Sequence, residues 1–539
     1  MKHHSLLLHL SLLAVFCIAI AIVWMLPVLL AGFPFRLSYA VHYARELAET
    51  GLVSSRPNAL LSLLLWPFHG LIDWQNMTGW TAVGAGFLAA ALVPWWWSVR
   101  RLFDARIAWI ATIVLAFMPM YWVEAVKLGG YAPAFFFLFL GFAFFIEVHP
   151  RNAWAGTILA GICFGLTLAA SHAFFTFLPW FALAYCWFRR HHLWSAVLQA
   201  GLYCAVAYAA FVAPLLPNAL QSGMTPSERL AVFLPAPNDH MTGVYHLYPD
   251  EYTYEFLREG FEQEQLRTLE QGSFLVQQDN QNYRYIFGVG DMNLRAVLTN
   301  SIWLFANAIP QLFLMENIGG VFLWLFILPG MALLYRRNRQ LLYAFIGLWL
   351  CMELVLRFGF HFSRNHLMNT GWILALLAAV GIDWAGQRVR TQWQHVPALC
   401  AMAVITALVS AQLVQANRML FARLYAKSDV PAAYAVAAAL ENVPEDAVIA
   451  YPRNAAETLF FARHTSVNLH NATIDSLAEK QELHKPLEYY GITHILGYDA
   501  ERAELILGAR QNIELVEFDE EEFMIPLTPF RRLLLHAIR

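Results

Sequence analysis

The chain has 539 residues, of which 59% are hydrophobic and 14% are charged. Soluble domains carry about 25% charged residues, so this composition indicates a membrane protein. The net charge of −3 gives no electrostatic reason to expect a nucleic-acid partner.

Eleven apolar stretches of membrane-spanning length precede residue 417. Each has roughly the 17–25 apolar residues that one bilayer crossing needs. The basic residues between them fall on alternate connections, as the positive-inside rule expects for a cytoplasmic N-terminus. The predicted spans are 6–32, 79–99, 107–122, 131–148, 154–170, 173–188, 193–217, 318–335, 340–357, 366–385 and 394–416.

These spans predict a transmembrane domain over 1–417 with two long outer loops, 33–78 and 218–317. Apolar segments within these loops, 59–72 and 296–316, are short or interrupted by polar residues. We expect both to rest at the outer interface without crossing the membrane.

The chain after residue 417 is soluble in character, and helix-like and strand-like segments alternate in it. The predicted elements include strands over 447–451, 466–469, 493–496 and 514–518 and a helix over 474–489. This alternation predicts an extracytoplasmic α/β domain over 428–539. The predicted fold class is therefore a polytopic α-helical membrane protein with about 11 transmembrane helices and a C-terminal soluble α/β domain.

The first outer loop contains a helix-like run that Gly51 ends. Val41, Ala44 and Leu47 or Ala48 fall on one face of that helix, and the charged residues fall on the other. The pattern predicts an amphipathic helix at the membrane interface.

Outward-facing ionisable residues near the membrane are the candidates for chemistry, because charge at a bilayer edge is costly unless it is paired or used. A carboxylate there can take a proton from an acceptor hydroxyl, and basic side chains can hold a phosphate leaving group. The alternative is that these residues are interface anchors whose charged ends reach the water. The candidate carboxylates are Glu124, Glu46 and Glu49, and the candidate phosphate ligands are Arg364, Lys127, Arg36, Arg45 and His366.

Glu124 ranks first among the carboxylates because it directly follows a predicted span. Lys127 lies three residues further on, so the two side chains share a face if the helix continues. Arg364 is expected to hold a donor phosphate from the opposite wall, where its planar guanidinium can make two parallel hydrogen bonds.

The arrangement resembles the GT-C superfamily of membrane glycosyltransferases, and more closely its bacterial members akin to protein O-mannosyltransferases and aminoarabinose transferases. The resemblance covers nearly the whole chain, although no single motif in it is specific. It lies in the loop helix 43–51, the segment from Pro57, the basic run 100–106, the span opening 364–368, the run 374–382 and the tail segment 490–496.

The resemblance implies a polyprenyl-phosphate-linked sugar as donor and a lipid, glycan or protein as acceptor. It implies that transfer takes place on the outer face of a bacterial cytoplasmic (inner) membrane. Such enzymes carry an acid in the first outer loop and often a second in the next. Here 32–39 has no acid, and Gly129, Gly130 and Tyr131 stand where the second is expected, which indicates a divergent member.

Three questions stay open at this point. The cofactor is unknown: a divalent metal ion is one option, and no metal ligands are assigned. A noncatalytic membrane subunit or scaffold with the same fold is the first alternative to an enzyme. A transporter is the second, but it needs ionisable groups near the bilayer midplane, and Glu353 is the main charge within the predicted spans.

Overall fold

The computed structural model describes two compact units. The first contains the helices up to Arg423, and the second contains residues 30–36 and the described residues from Leu424 onward. The described residues are 2–36, 59–73, 76–171, 177–220, 225–232, 318–359, 368–426, 430–444, 446–452, 464–469 and 471–516, with the single positions 41, 44, 47, 48, 51, 53, 174, 313, 314 and 428.

The first unit is built from helices. They are α1 (Lys2–Ala31), α2 (Ala59–Leu65), α3 (Met77–Leu102), α4 (Ala105–Phe117), α5 (Pro119–Lys127), α6 (Tyr131–Val148), α7 (Ala153–Ala170), α8 (Phe177–Phe188), α9 (Leu193–Val212), α10 (Leu216–Ala219), α11 (Pro226–Ala231), α12 (Val321–Gly359), α13 (Met368–Gln392) and α14 (Ala398–Ala426).

Seven helical segments in the described residues are long and apolar enough to cross a membrane, or eight if the bent pair α4 and α5 counts as one crossing. The chain is therefore a multi-pass α-helical membrane protein. The other three predicted spans correspond to α8, which has 12 residues, and to the two parts of α12. Asn338, with φ −154° and ψ 80°, interrupts α12 between those parts.

Glycines let the backbones of neighbouring helices approach closely, as is typical of membrane proteins. A Cβ on Gly330 of α12 would lie 1.9 Å from the carbonyl oxygen of Leu377, and one on Gly381 of α13 would lie 2.0 Å from that of Phe326. Only glycine fits at these two positions. The aromatic core nearby centres on the buried Trp372 of α13, whose ring contacts rings of α3, α6 and α12.

The amphipathic helix predicted in the first outer loop has the expected buried face. Val41, Ala44 and Leu47 are buried, whereas Ala48 is exposed. Gly51 has a φ of +72°, and its N–H donates to the Leu47 carbonyl at 3.0 Å, which ends the helix as predicted. The neighbouring apolar helix Ala59–Phe68 is too short to cross the membrane, as expected. The segment 296–316 lies almost entirely outside the described residues.

The second unit contains a four-stranded parallel sheet in the order β2-β1-β3-β4. Its strands are β1 (Val448–Tyr451), β2 (Thr465–Asn468), β3 (His494–Leu496) and β4 (Glu514–Val516), and its helices are α15 (Val430–Ala439), α16 (Asn471–Glu479), α17 (His484–Tyr489) and α18 (Ala500–Ala509). Buried residues line both faces of the sheet. Ala450 and Ile495 point to a core with α16, α17 and α18, whereas Ile449 and Leu496 point to one with α15.

The predicted single helix over 474–489 is wrong. Gln481 takes a left-handed conformation with φ 58°, and the N–H of Glu482 donates to the Leu477 carbonyl at 2.8 Å. This turn ends α16, and α17 starts after it.

Candidate functional site

A sharp bend within the first unit places the highest-ranked carboxylate. Helix α4 ends at Phe117, Met118 is extended, and α5 starts with Pro119 and runs at 62° to α4. Proline has no N–H to continue a helix but suits a first helical position. The helix therefore continues past residue 122, where the predicted span ends, to Lys127.

Hydrogen bonds from distant parts of the sequence hold the bend. The amide of Asn417 donates to the carbonyls of Phe117 and Leu413, at 2.7 and 2.8 Å. The Trp24 indole donates to the Ala116 carbonyl at 2.9 Å, and the Trp122 indole donates to the Trp24 carbonyl at 3.0 Å. The carbonyls that the break frees thus have partners, which a membrane interior requires. Sequence reasoning did not identify Asn417, since its contact lies 300 residues away.

Glu124 lies on α5 with its side chain completely buried. The Lys127 ammonium donates to Oε1 at 3.3 Å, and the lysine side chain keeps 20% of its exposure. The spacing of three residues does bring the pair together. The other oxygen, Oε2, is buried and has no hydrogen-bond partner among the described residues. A half-satisfied buried carboxylate is costly, which makes it a candidate for function.

A glycine turn lies directly beside the unpartnered oxygen. Leu128 ends α5 in a left-handed conformation with φ 48°. A Cβ on the next residue, Gly129, would lie 3.2 Å from Oε2 of Glu124. Gly129 is partly exposed and has no side chain to cover Oε2 on that side. No sequence pattern selected Gly129, which in the family comparison only marked the absence of an acid.

This arrangement combines two chemical abilities. A carboxylate oxygen without a donor can accept a proton from a hydroxyl group. An ammonium that is paired on one side and partly exposed can contact an anionic oxygen on the other.

Among the remaining predicted site residues, the structure describes Arg36 alone. Arg36 is exposed and belongs to the second unit. No group of three His, Cys, Asp or Glu side chains suited to a metal ion occurs in the part of the chain that the structure describes. Outside the described residues lie Glu46, Glu49, Arg45, Arg364 and His366.

A second polar cluster joins the ends of α6, α8 and α9. His149 and the Tyr185 hydroxyl are 2.9 Å apart, and that hydroxyl donates to Oε1 of Gln199. Burial, with a smaller contribution from the positive charge of Arg189, lowers the pKa of His149. This cluster was not among the predicted sites.

Comparison with known proteins gives a fold but no sequence match. No protein-family model matches the chain, and comparison with curated proteins finds no significant match. Solved structures of GT-C superfamily glycosyltransferases do match, at a probability of 1.00 and 12–14% identity. The chain therefore has a GT-C fold, which confirms the resemblance seen in the sequence.

Two proteins represent these structures. ArnT from Cupriavidus metallidurans bound to undecaprenyl phosphate has a TM-score of 0.53 and 14% identity, covering 93% of this chain and 89% of ArnT. The oligosaccharyltransferase AglB from Archaeoglobus fulgidus, with an inhibitory peptide and a dolichol-phosphate, has a TM-score of 0.52 and 12% identity, covering 89% of this chain and 69% of AglB. A structure of an oligosaccharyltransferase from Archaeoglobus fulgidus tethered to an acceptor peptide has a TM-score of 0.51 and 14% identity, covering 86% of this chain and 64% of that protein.

Proposed function

We propose that the chain is a membrane glycosyltransferase. It moves a sugar from a polyprenyl-phosphate donor to an acceptor on the outer face of the bacterial cytoplasmic membrane. ArnT and AglB share the fold of this chain and have lipid phosphates bound, which supports the proposed donor class. Because one fold can host unrelated activities, the proposal depends on the site.

The observation that carries the proposal is the completely buried Glu124 with one unpartnered oxygen beside Gly129. In the proposed reaction this oxygen takes the proton of an acceptor hydroxyl. The hydroxyl oxygen forms a bond to the anomeric carbon of the sugar as the bond from that carbon to the phosphate oxygen breaks. Polyprenyl phosphate leaves with the bonding electrons, and Lys127 stabilises its charge.

The remaining cations complete the proposed donor site. Arg364 contributes a two-pronged phosphate contact, and Arg45 and His366 add positive charge or donors. Glu46 and Glu49 are the alternative bases if Glu124 is dispensable. A divalent metal ion is compatible with this proposal but is not required by it.

Orientation belongs to the same proposal. The basic residues flanking the helices support a cytoplasmic N-terminus and an extracytoplasmic location of residues 428–539. The acceptor, whether lipid, glycan or protein, would then be reached from the outer side.

The test is reconstitution of the purified chain in vesicles with labelled undecaprenyl-phosphate monosaccharides and a membrane-lipid extract as the acceptor source. We expect release of undecaprenyl phosphate together with a labelled product. Donor binding without release would indicate a noncatalytic subunit. Movement of the intact donor between leaflets without release would indicate a transporter.

A further inference from the structure

The strand order of the C-terminal sheet changes direction once. The chain moves from β1 to β2 on one side, then returns to place β3 and β4 on the other side of β1. In doubly wound parallel sheets, ligands bind outside the carboxyl ends of the two strands at such a change of direction. In this sheet the two strands are β1, ending at Tyr451, and β3, ending at Leu496.

A glycine and a tyrosine ring meet at this point. Gly497 directly follows β3, is exposed and has a φ of +76°. A Cβ there would lie 2.7 Å from Cε2 of Tyr451, so the tyrosine ring lies directly beside the glycine backbone. Tyr451 itself is only partly buried.

A second tyrosine, Tyr498, packs against the core with α16, α17 and α18, on the opposite face of the sheet from the core that Tyr451 contacts. The hydroxyl of Tyr498 donates to the carbonyl of Leu469 at 2.8 Å. Leu469 follows β2 and Tyr498 follows β3, so the Tyr498 side chain crosses the end of β1, which lies between those strands. We call the surface formed by Tyr451, Gly497 and Tyr498 the β1–β3 crevice.

An amide oxygen without a hydrogen-bond partner among the described residues lies at the same edge of the sheet. Asn471 starts α16, two residues after Leu469. Its Oδ1 atom is buried and has no hydrogen-bond partner among the described residues. Leaving such an acceptor unpaired costs free energy, and a ligand hydroxyl would satisfy it.

The charges at this edge disfavour an anionic ligand. The Arg502 guanidinium donates to both carboxylate oxygens of Asp475, at 2.9 and 2.8 Å, and also to Asp499. Two carboxylates thus surround one guanidinium, and the group has a net negative charge. A phosphate or carboxylate ligand would find no uncompensated cation in this group.

We propose that the β1–β3 crevice binds a neutral saccharide. Tyrosine rings offer flat apolar faces on which the C–H face of a sugar ring can stack, while a few polar atoms fix its orientation. The further assignment of this saccharide as the glycan acceptor rests on the proposed transferase function. Saccharide binding to the crevice can be measured without any transfer.

The experiment measures binding of N-acetylglucosamine, methyl α-mannoside and methyl β-glucoside to the full chain in a detergent without sugar headgroups, by saturation-transfer-difference NMR. We expect at least one of these sugars to bind with a dissociation constant of about 1 mM. Its 6-phosphate should bind at least about fivefold more weakly, because of the negative charge at the edge. No binding by any of the three neutral sugars, or tighter binding of the phosphate, would overturn the proposal.

Variants locate the binding. Tyr451→Leu and Tyr498→Leu should each weaken it about fivefold, the size of one lost aromatic stacking partner. Tyr451→Phe should keep it, as should the control Tyr490→Leu, which removes a tyrosine that precedes β3 at the other edge. If a leucine variant has a lowered unfolding temperature, Asn471→Ala provides the test instead, with weakened binding expected. The site is refuted if the correctly folded variants among Tyr451→Leu, Tyr498→Leu and Asn471→Ala bind the sugar as tightly as the parent chain does.

The two proposals can fail separately. Glu124→Gln should lower transfer at least about a hundredfold and leave saccharide binding unchanged. Transfer without saccharide binding would refute the crevice alone, and saccharide binding without transfer would refute the transferase alone.

Discussion

Replacing Lys127 by methionine would leave the Glu124 carboxylate buried without its cation. The Nζ and Oε1 atoms are 3.3 Å apart. With an effective dielectric constant of about 20, two unit charges at this distance attract each other by about 5 kcal/mol. Lys127 keeps 20% of its exposure, so solvent offsets part of that attraction. We expect Lys127→Met to lower the free energy of unfolding by about 3 kcal/mol, the lower end of the range for broken buried pairs.

A double-mutant cycle isolates the pair. In the Glu124→Gln, Lys127→Met double variant no charge remains to be buried, so much of the loss should be recovered, with a coupling energy of about 2 kcal/mol. SDS-induced unfolding in mixed micelles, followed by tryptophan fluorescence, measures each term. The matched control is the exposed pair Glu482 and Lys485, also three residues apart, which should show no measurable coupling. Additive effects of the two substitutions at Glu124 and Lys127 would refute the reasoning.

Three further outcomes are expected. Gly129→Ala should lower transfer roughly tenfold, because its Cβ would press on Oε2 of Glu124 at 3.2 Å and displace the reacting oxygen. Gly86→Ala, with no atom within 4 Å of its Cβ, should have no effect on the rate. Because burial lowers the pKa of His149 below its ordinary value of 6.5, stability should fall as the pH drops below that value, and His149→Gln should flatten the dependence of the unfolding temperature on pH. Reporters fused after Lys427 should be active only outside the cytoplasm, and those fused after Arg190 or Arg339 only inside; an inverted result at any fusion would remove the outer site.

Local patterns in the sequence were sufficient for much of the fold. The 3.6-residue period identified the buried face Val41, Ala44 and Leu47, and Gly51 marked the end of that helix. In the tail, short β-branched and apolar runs bounded by turn residues predicted β1, β2, β3 and β4 close to their observed positions. These features depend on neighbours within a few residues.

The site could be predicted only in part because its geometry depends on distant contacts. The spacing of Glu124 and Lys127 indicated that the two side chains share one helix face. The bend at Met118 was not predicted, because the apolar run continues through Met118 and Pro119 as one predicted span, although Pro119 is a local signal for a break. It depends on the Asn417 amide reaching the Phe117 carbonyl from another helix.

The proposed role of Glu124 as general base is tested most directly by the initial rate of sugar transfer in Glu124→Gln compared with Glu147→Gln. Glu147 is a suitable control because it is a glutamate on a different helix, α6, where it forms ion pairs with Arg101 and Arg151. We expect Glu124→Gln to lower turnover at least about a hundredfold, the scale of a lost general base, and Glu147→Gln to stay within about twofold of the parent chain. Equal rates in the two variants, with both correctly folded, would contradict the assignment.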